Sequence, residues 1–258
     1  MQYWHMSGAG NDFVVMDVRD AMPDLPVLSR ELCAKTGADG LVAIDRSEIA
    51  DFKLHFYNSD GSRGEMCGNG ARCICRFAYD TGVAGTAMVI ETDAGLVPGE
   101  RLSERQYRVK LNNPGVLDLC RKESVSYVEL GNPGIPHAVT ELPGLQWEQA
   151  EALREKAVAL RHDPAFPKGV NVSFYTRLDE ETVRVLTYER YVEAYTLACG
   201  TGCGAIAVTL WTQGKLPGGV LTAENRGGTL RLTVRGQQGT VTELFLEGPA
   251  EILGVYET

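Results

Sequence analysis

Two short stretches constrain this chain more than anything else in it. The first is Cys67-Gly68-Asn69-Gly70-Ala71-Arg72 and the second is Cys199-Gly200-Thr201-Gly202-Cys203-Gly204. Each reads Cys-Gly-x-Gly and runs into an apolar, helix-compatible segment. They lie 132 residues apart in a chain of 258, about half its length. One device used once per half points to a duplicated fold with a single site served by both copies.

The pattern around the motifs supports that reading. Residues 2–6, 13–17, 41–44 and 52–58 read as strands, the last by its alternation of apolar and polar residues. Ser29–Lys35 reads as a short helix capped by Ser29 and ended at Gly37. After the first motif, Ala71, Ile74, Cys75, Phe77 and Ala78 mark a helix buried on most sides, ending near Gly82. Strands follow at 88–92 and 107–111. Asn132–His137, with two prolines, reads as a loop, and Trp147–Leu160 as one helix. Strands are expected at 169–175 and 182–188, then a second apolar helix ending at Gly214, then short strands at 220–222, 230–234 and 243–247. The fold class is therefore α+β. It is expected as two pseudo-symmetric lobes, each a curled, mostly antiparallel, barrel-like sheet around a central apolar helix. The first lobe, 1–115, carries Cys67; the second, 116–247, carries Cys199.

Composition excludes several function classes. The net charge of −9 argues against a nucleic-acid partner. No apolar run reaches the roughly 18–20 residues that span a bilayer, and the first residues lack the features of a secretory signal. The chain is therefore expected to be cytoplasmic, with no membrane partner. Seven cysteines, an odd number, argue against a disulfide framework. Their spacings do not fit zinc knuckles, so no metal is expected. No dinucleotide fingerprint or cofactor lysine motif is present, so no cofactor is expected.

A thiol at a helix start lies in the positive end of the helix dipole. Its pKa can fall from about 8.5 to between roughly 3.5 and 7.5. The same turn offers free backbone N–H groups that bind a carboxylate. Two such thiols facing one ligand suit the inversion of a carbon stereocentre. One removes a proton from one face, and the other returns one to the opposite face. Other readings remain open at this point. Both cysteines could be structural. Cys67 to Arg72 has one residue too few for the Cys-x5-Arg loop of a phosphatase. A papain-like pairing of a cysteine with His137 leaves the second motif unexplained. A non-catalytic carboxylate-binding module would use the two turns as an anion nest.

Several segments taken together resemble diaminopimelate epimerase. They are Met6–Phe13, Asn58–Ser62, Met66–Arg72, Asn171-Val172, Glu189-Arg190 and Leu197–Gly202. The resemblance runs in order over nearly the whole chain. It implies a cofactor-independent isomerase acting on a small-molecule amino acid, and a homodimer. It also implies that a final strand near 248–258 packs back on the first lobe. Cys67 and Cys199 would be the acid/base pair, and the N–H groups of Gly68, Asn69, Gly200 and Thr201 would hold the reacting carboxylate. Asn11, Asn58, Asn171, Glu189 and Arg190 would line the substrate pocket. His137 and Glu189 would support proton transfer.

Three positions depart from the family pattern. Ile135 stands where the family usually has Asn before Pro-His. Tyr191 follows Glu189-Arg190 where Gly is usual, so a left-handed backbone there is expected to be lost. Tyr195 stands where a Glu is usual. These changes leave the thiols intact and open the far end of the substrate, with histidine as an alternative to diaminopimelate.

Overall fold

The computed structural model describes every residue except Glu65, Gln238 and Thr258. The chain divides into two compact units, residues 1–110 with 247–258, and residues 111–246.

The first unit opens with β1 (Gln2–Ser7) antiparallel to β2 (Asp12–Asp17). Helix α1 (Leu25–Thr36) then crosses over to β3 (Gly40–Asp45), parallel to β2. β4 (Phe52–Asn58) returns antiparallel and is followed by the short β5 (Arg63–Gly64). A second crossover, α2 (Gly68–Asp80), leads to β6 (Ala87–Thr92), parallel to β4. β7 (Gly95–Arg101) and β8 (Gln106–Leu111) extend the sheet antiparallel.

The second unit repeats this order. β9 (Pro114–Lys122) pairs antiparallel with β10 (Val125–Gly131), and β10 with β11 (Gly134–Glu141). Helix α3 (Arg154–Arg161) crosses to β12 (Asn171–Arg177), parallel to β11. β13 (Thr182–Glu189) returns antiparallel and meets the short β14 (Ala194–Tyr195). Helix α4 (Gly200–Thr212) crosses to β15 (Val220–Asn225), parallel to β13. β16 (Gly228–Gln237) pairs antiparallel with β15, and β17 (Thr240–Pro249) follows. The last strand, β18 (Glu251–Glu257), pairs antiparallel with β1 of the first unit, as β9 does with β10 in the second. The α+β class expected from the pattern is what the structure has.

The second helix of each repeat is the one the core closes on. Ala71, Cys73, Ile74, Cys75 and Ala78 of α2 are fully buried, as are Cys203 and Ala205–Val208 of α4. α2 differs from the apolar helix expected. Arg72 and Arg76, one turn apart on one face, are buried with the rest. Arg72 Nε donates to Pro249 O at 3.3 Å and Arg76 Nη1 to Ala250 O at 2.6 Å, which fastens the chain between β17 and β18 to this helix.

Four local expectations change. α1 is capped by Asp24, whose Oδ1 accepts the Val27 N–H at 3.1 Å; Ser29 is buried inside the helix and donates to Asn58 O. The stretch 134–137 is strand and not loop, because Pro136 pairs only with β10, and the parallel ladder to β12 begins one residue later at His137. The helix read over 147–160 is a 3-10 turn, Trp147–Gln149, followed by α3. Tyr191 keeps the left-handed backbone thought lost without glycine, at φ 73°. Among the described residues, no helix is long and apolar enough to cross a membrane.

Candidate active site

Cys67 and Cys199 occupy the same place in the two repeats. Each is the N-cap of a 13-residue helix, with extended backbone at φ −123°, ψ 122° and φ −118°, ψ 105°. Neither thiol caps its own helix. The first intrahelical bonds come from the Ala71 N–H to Cys67 O and from the Cys203 N–H to Cys199 O. The N–H groups of the residues between therefore have no acceptor inside the helix. These are the groups of Gly68, Asn69 and Gly70 in one unit and of Gly200, Thr201 and Gly202 in the other.

In the first unit, the β1–β2 turn lies against the start of α2. A Cβ on Gly8 would fall 2.9 Å from the Asn69 carbonyl oxygen, so only glycine permits this approach. The turn brings Asn11 to the motif. Its Oδ1 accepts from Asn69 Nδ2 at 3.3 Å and lies 3.8 Å from Cys67 Sγ. Its Nδ2 donates to Asp39 Oδ2 at 2.5 Å. Asn58, the last residue of β4 before the β4–β5 turn, donates from Nδ2 to Ser62 Oγ at 2.9 Å. The next residue, Ser59, donates its N–H to the Asp39 carbonyl, which ties that turn to the Asn11 group.

In the second unit, three neighbouring strands deliver the expected residues to one end of the sheet. His137 of β11 is in register with Asn171 of β12, and Glu189 ends β13, with Arg190 next in the chain. Asn171 Oδ1 accepts the Arg190 N–H at 2.7 Å, while Arg190 Nη1 donates to Lys168 O at 2.9 Å. The Arg190 guanidinium stands over the Tyr191 ring at 4.6 Å. Glu189 Oε1 accepts from Thr196 Oγ1 at 2.6 Å. The first turn of α4 rests on two hydroxyls. A Cβ on Gly202 would fall 2.8 Å from Ser173 Oγ and 2.9 Å from Thr187 Oγ1. Ser173 Oγ also meets His137 Nδ1 at 3.4 Å.

The electrostatics differ from the simple dipole expectation. Burial pushes the Cys199 thiol well above its ordinary range, and the Glu189 carboxylate adds to the shift. The Thr201 hydroxyl and the Gly202 N–H pull the other way and do not prevail. His137 is held neutral, with its pKa lowered from 6.5 to about 3 by burial and by the Arg190 charge.

The three residues that depart from the family pattern sit in different surroundings. Tyr195 packs edge-on against Tyr188 at 5.3 Å, beside a buried apolar cluster. Tyr191 is exposed and Ile135 half-buried. Sequence reasoning missed Asp39, Arg72, Ser173, Thr187 and Thr196. Arg72 alone carried a visible signal, an arginine four residues before Arg76 inside an otherwise apolar helix. Among the described residues, no group of three or more His, Cys, Asp or Glu is placed to hold a metal ion.

The family model for diaminopimelate epimerase matches residues 3–114 and 130–253, which take in both helix starts. The chain belongs to the diaminopimelate epimerase family. The diaminopimelate epimerase of Aquifex aeolicus is 37% identical, over 96% of this chain and 94% of that one. That of Chlorobaculum tepidum is 33% identical, over 95% and 96% respectively. Among solved structures, a probable proline racemase from Agrobacterium radiobacter K84 matches with a TM-score of 0.73 at 17% identity, covering all of this chain and 92% of that one. A phenazine biosynthesis protein of Bacillus anthracis matches with a TM-score of 0.74 at 14% identity, covering all of this chain and 98% of that one. At these identities the two structures share the fold of this diaminopimelate epimerase family member and say no more.

Proposed function

We propose that the protein interconverts LL- and meso-diaminopimelate by a two-base mechanism, with Cys67 and Cys199 as its catalytic residues and no cofactor. The observation that carries this reading is the matched pair of helix starts. Two thiols hold the same N-cap geometry in the two repeats of a chain from an epimerase family.

The environment of Cys199 supports one assignment of the two protons. Cys199, buried and beside Glu189, begins as the thiol and is the acid. Cys67 then begins as the thiolate and is the base. It removes the Cα proton, and Cys199 delivers its own to the opposite face. The cycle ends with Cys67 as thiol and Cys199 as thiolate, which is the starting state for the reverse reaction. The carbanion is stabilised through its carboxylate by the N–H groups of Gly68, Asn69, Gly200 and Thr201. Each such donor is worth about 3 kcal/mol in related chemistry. Asn11, Asn58, Asn171, Glu189 and Arg190 bind the rest of the amino acid. His137, held neutral, and Glu189 support the Cys199 thiol. The same reading makes the enzyme a cytoplasmic homodimer, so light scattering should give twice the 28.1 kDa of one chain.

The deciding experiment is proton exchange at Cα. LL-Diaminopimelate incubated with the protein in D2O should give both isomers, with deuterium at the inverted carbon. L-Histidine under the same conditions should keep its proton and its configuration. Exchange of histidine without diaminopimelate would overturn the substrate, and exchange of neither would overturn the reading.

A further inference from the structure

In the first unit, two charges of opposite sign close the ends of one hydrogen-bonded chain. Arg72, fully buried, donates from Nη2 to Asn69 Oδ1 at 3.1 Å. Asn69 Nδ2 donates to Asn11 Oδ1 at 3.3 Å, and Asn11 Nδ2 donates to Asp39 Oδ2 at 2.5 Å. The order of atoms is forced by chemistry. A guanidinium only donates, so it turns an amide oxygen toward itself. A carboxylate only accepts, so it turns an amide nitrogen toward itself. Fixing one amide fixes the other. An asparagine without such a partner could present either its oxygen or its NH2 to a neighbouring sulfur.

Both anchors are themselves held. Asp39 Oδ2 also accepts the Asp12 N–H at 2.9 Å, and the Asp39 N–H donates to Asp12 O at 2.8 Å. Arg72 also donates to the carbonyl oxygens of Gly68 and Pro249, each at 3.3 Å. The result is that Asn11 presents an acceptor, its oxygen, at 3.8 Å from Cys67 Sγ.

We propose that Asp39 is a positioning residue for the reaction. It locks the Asn11 amide so that oxygen, and not NH2, faces the Cys67 sulfur, with Arg72 as the opposite anchor of the lock. This rests on the reading that Cys67 exchanges a proton with substrate. Each time Cys67 holds that proton, the S–H is directed toward Asn11.

The test uses the full chain. Asp39 is exposed, so its replacement leaves the core intact. Asp39→Ala should lower kcat/KM for diaminopimelate about tenfold, the scale of one hydrogen bond to a charged group. Asp39→Asn, which keeps an oxygen in place to accept from Asn11, should stay within about threefold of the parent. In an Asn11→Ala background, Asp39→Ala should add nothing, because the residue acts through that amide. An independent readout is the side-chain NH2 pair of Asn11 in an 15N-correlation spectrum. It should be shifted and slow to exchange in the parent and in Asp39→Asn, and should lose both properties in Asp39→Ala. Unchanged Asn11 resonances in Asp39→Ala would overturn the lock. So would losses that multiply with Asn11→Ala. If the parent protein turned over no diaminopimelate, the functional reading would fail while the resonances still decided the lock.

Discussion

A thiol at the start of a helix feels two opposing influences, the positive end of the dipole and the cost of placing a charge where water cannot reach it. The sequence displays the first and hides the second. At Cys199 burial is the larger, and Glu189 reinforces it, so the group stays protonated at neutral pH. Cys73 is pushed to about 12 by the same cause, while Cys67 is half-buried and Cys120 exposed. Alkylation with iodoacetamide at pH 7.5, mapped by mass spectrometry, should therefore label Cys120 and Cys67 well before Cys199 and Cys73. Equal rates at Cys67 and Cys199 would contradict the asymmetry on which the acid and base assignments rest. His137 gives a second prediction, with the opposite sign of linkage. Its folded pKa lies near 3, below the unfolded value of about 6.5. The stability it contributes is present above about pH 6.5 and is lost as pH falls toward 3. Within that window the slope approaches about 1.4 kcal/mol per pH unit. Urea denaturation at pH 6 and pH 4 should show the parent losing roughly 2–3 kcal/mol more than His137→Gln over that interval. Identical losses would mean that the ring is charged in the folded protein.

The helices that carry the thiols begin without a side-chain cap, although their N-cap backbone is the extended conformation that suits one. Serine in that conformation accepts a hydrogen bond from the second or third N–H of the helix and is worth about 1 kcal/mol. Cys67→Ser and Cys199→Ser should accordingly be as stable as the parent or more stable, by up to about 1 kcal/mol in urea. Both should lose net inversion by roughly a thousandfold or more. A serine variant that kept its activity would remove that cysteine from the mechanism. The elements were legible in the sequence to the extent that period and turn chemistry decide them. β4 emerged with its ends in place because alternation from Phe52 to Asn58 is a local signal. β7 and β11 were not legible, because Pro98 and Pro136 argue against strand. In the fold each proline pairs on only one side, where a missing N–H costs no ladder bond. The site divides the same way. The paired motifs announced the thiols, and the resemblance supplied His137, Asn171 and Arg190. Asp39, Thr196 and the Ser173–Thr187 pair depend on strands and turns brought together by tertiary pairing, which no local pattern encodes.

The repeat explains why the chain must return to its beginning. In each unit the strand that opens the first hairpin is flanked by another strand on its outer edge. In the second unit that strand is β9, supplied by adjacent sequence. In the first it is β18, from the far end of the chain. The first unit is therefore incomplete until β18 has been made. β18 stacks Tyr256 on Tyr3 at 5.5 Å, and the residues before it supply the carbonyl oxygens that Arg72 and Arg76 donate to. A chain ending at residue 246 would leave two buried guanidinium groups short of acceptors inside α2. Stripping a partner from a buried charge costs about 3–5 kcal/mol, comparable to the whole stability of a small domain. The loss should stay local. Hydrogen exchange of this truncated chain should show β1 and α2 exchanging rapidly, while β10 to β13 keep their protection, because their pairing partners and the α3 cluster all lie within 111–246. Full protection of α2 in the truncated chain would show that the two arginines find other acceptors and that the C-terminal strand is dispensable for the Cys67 helix.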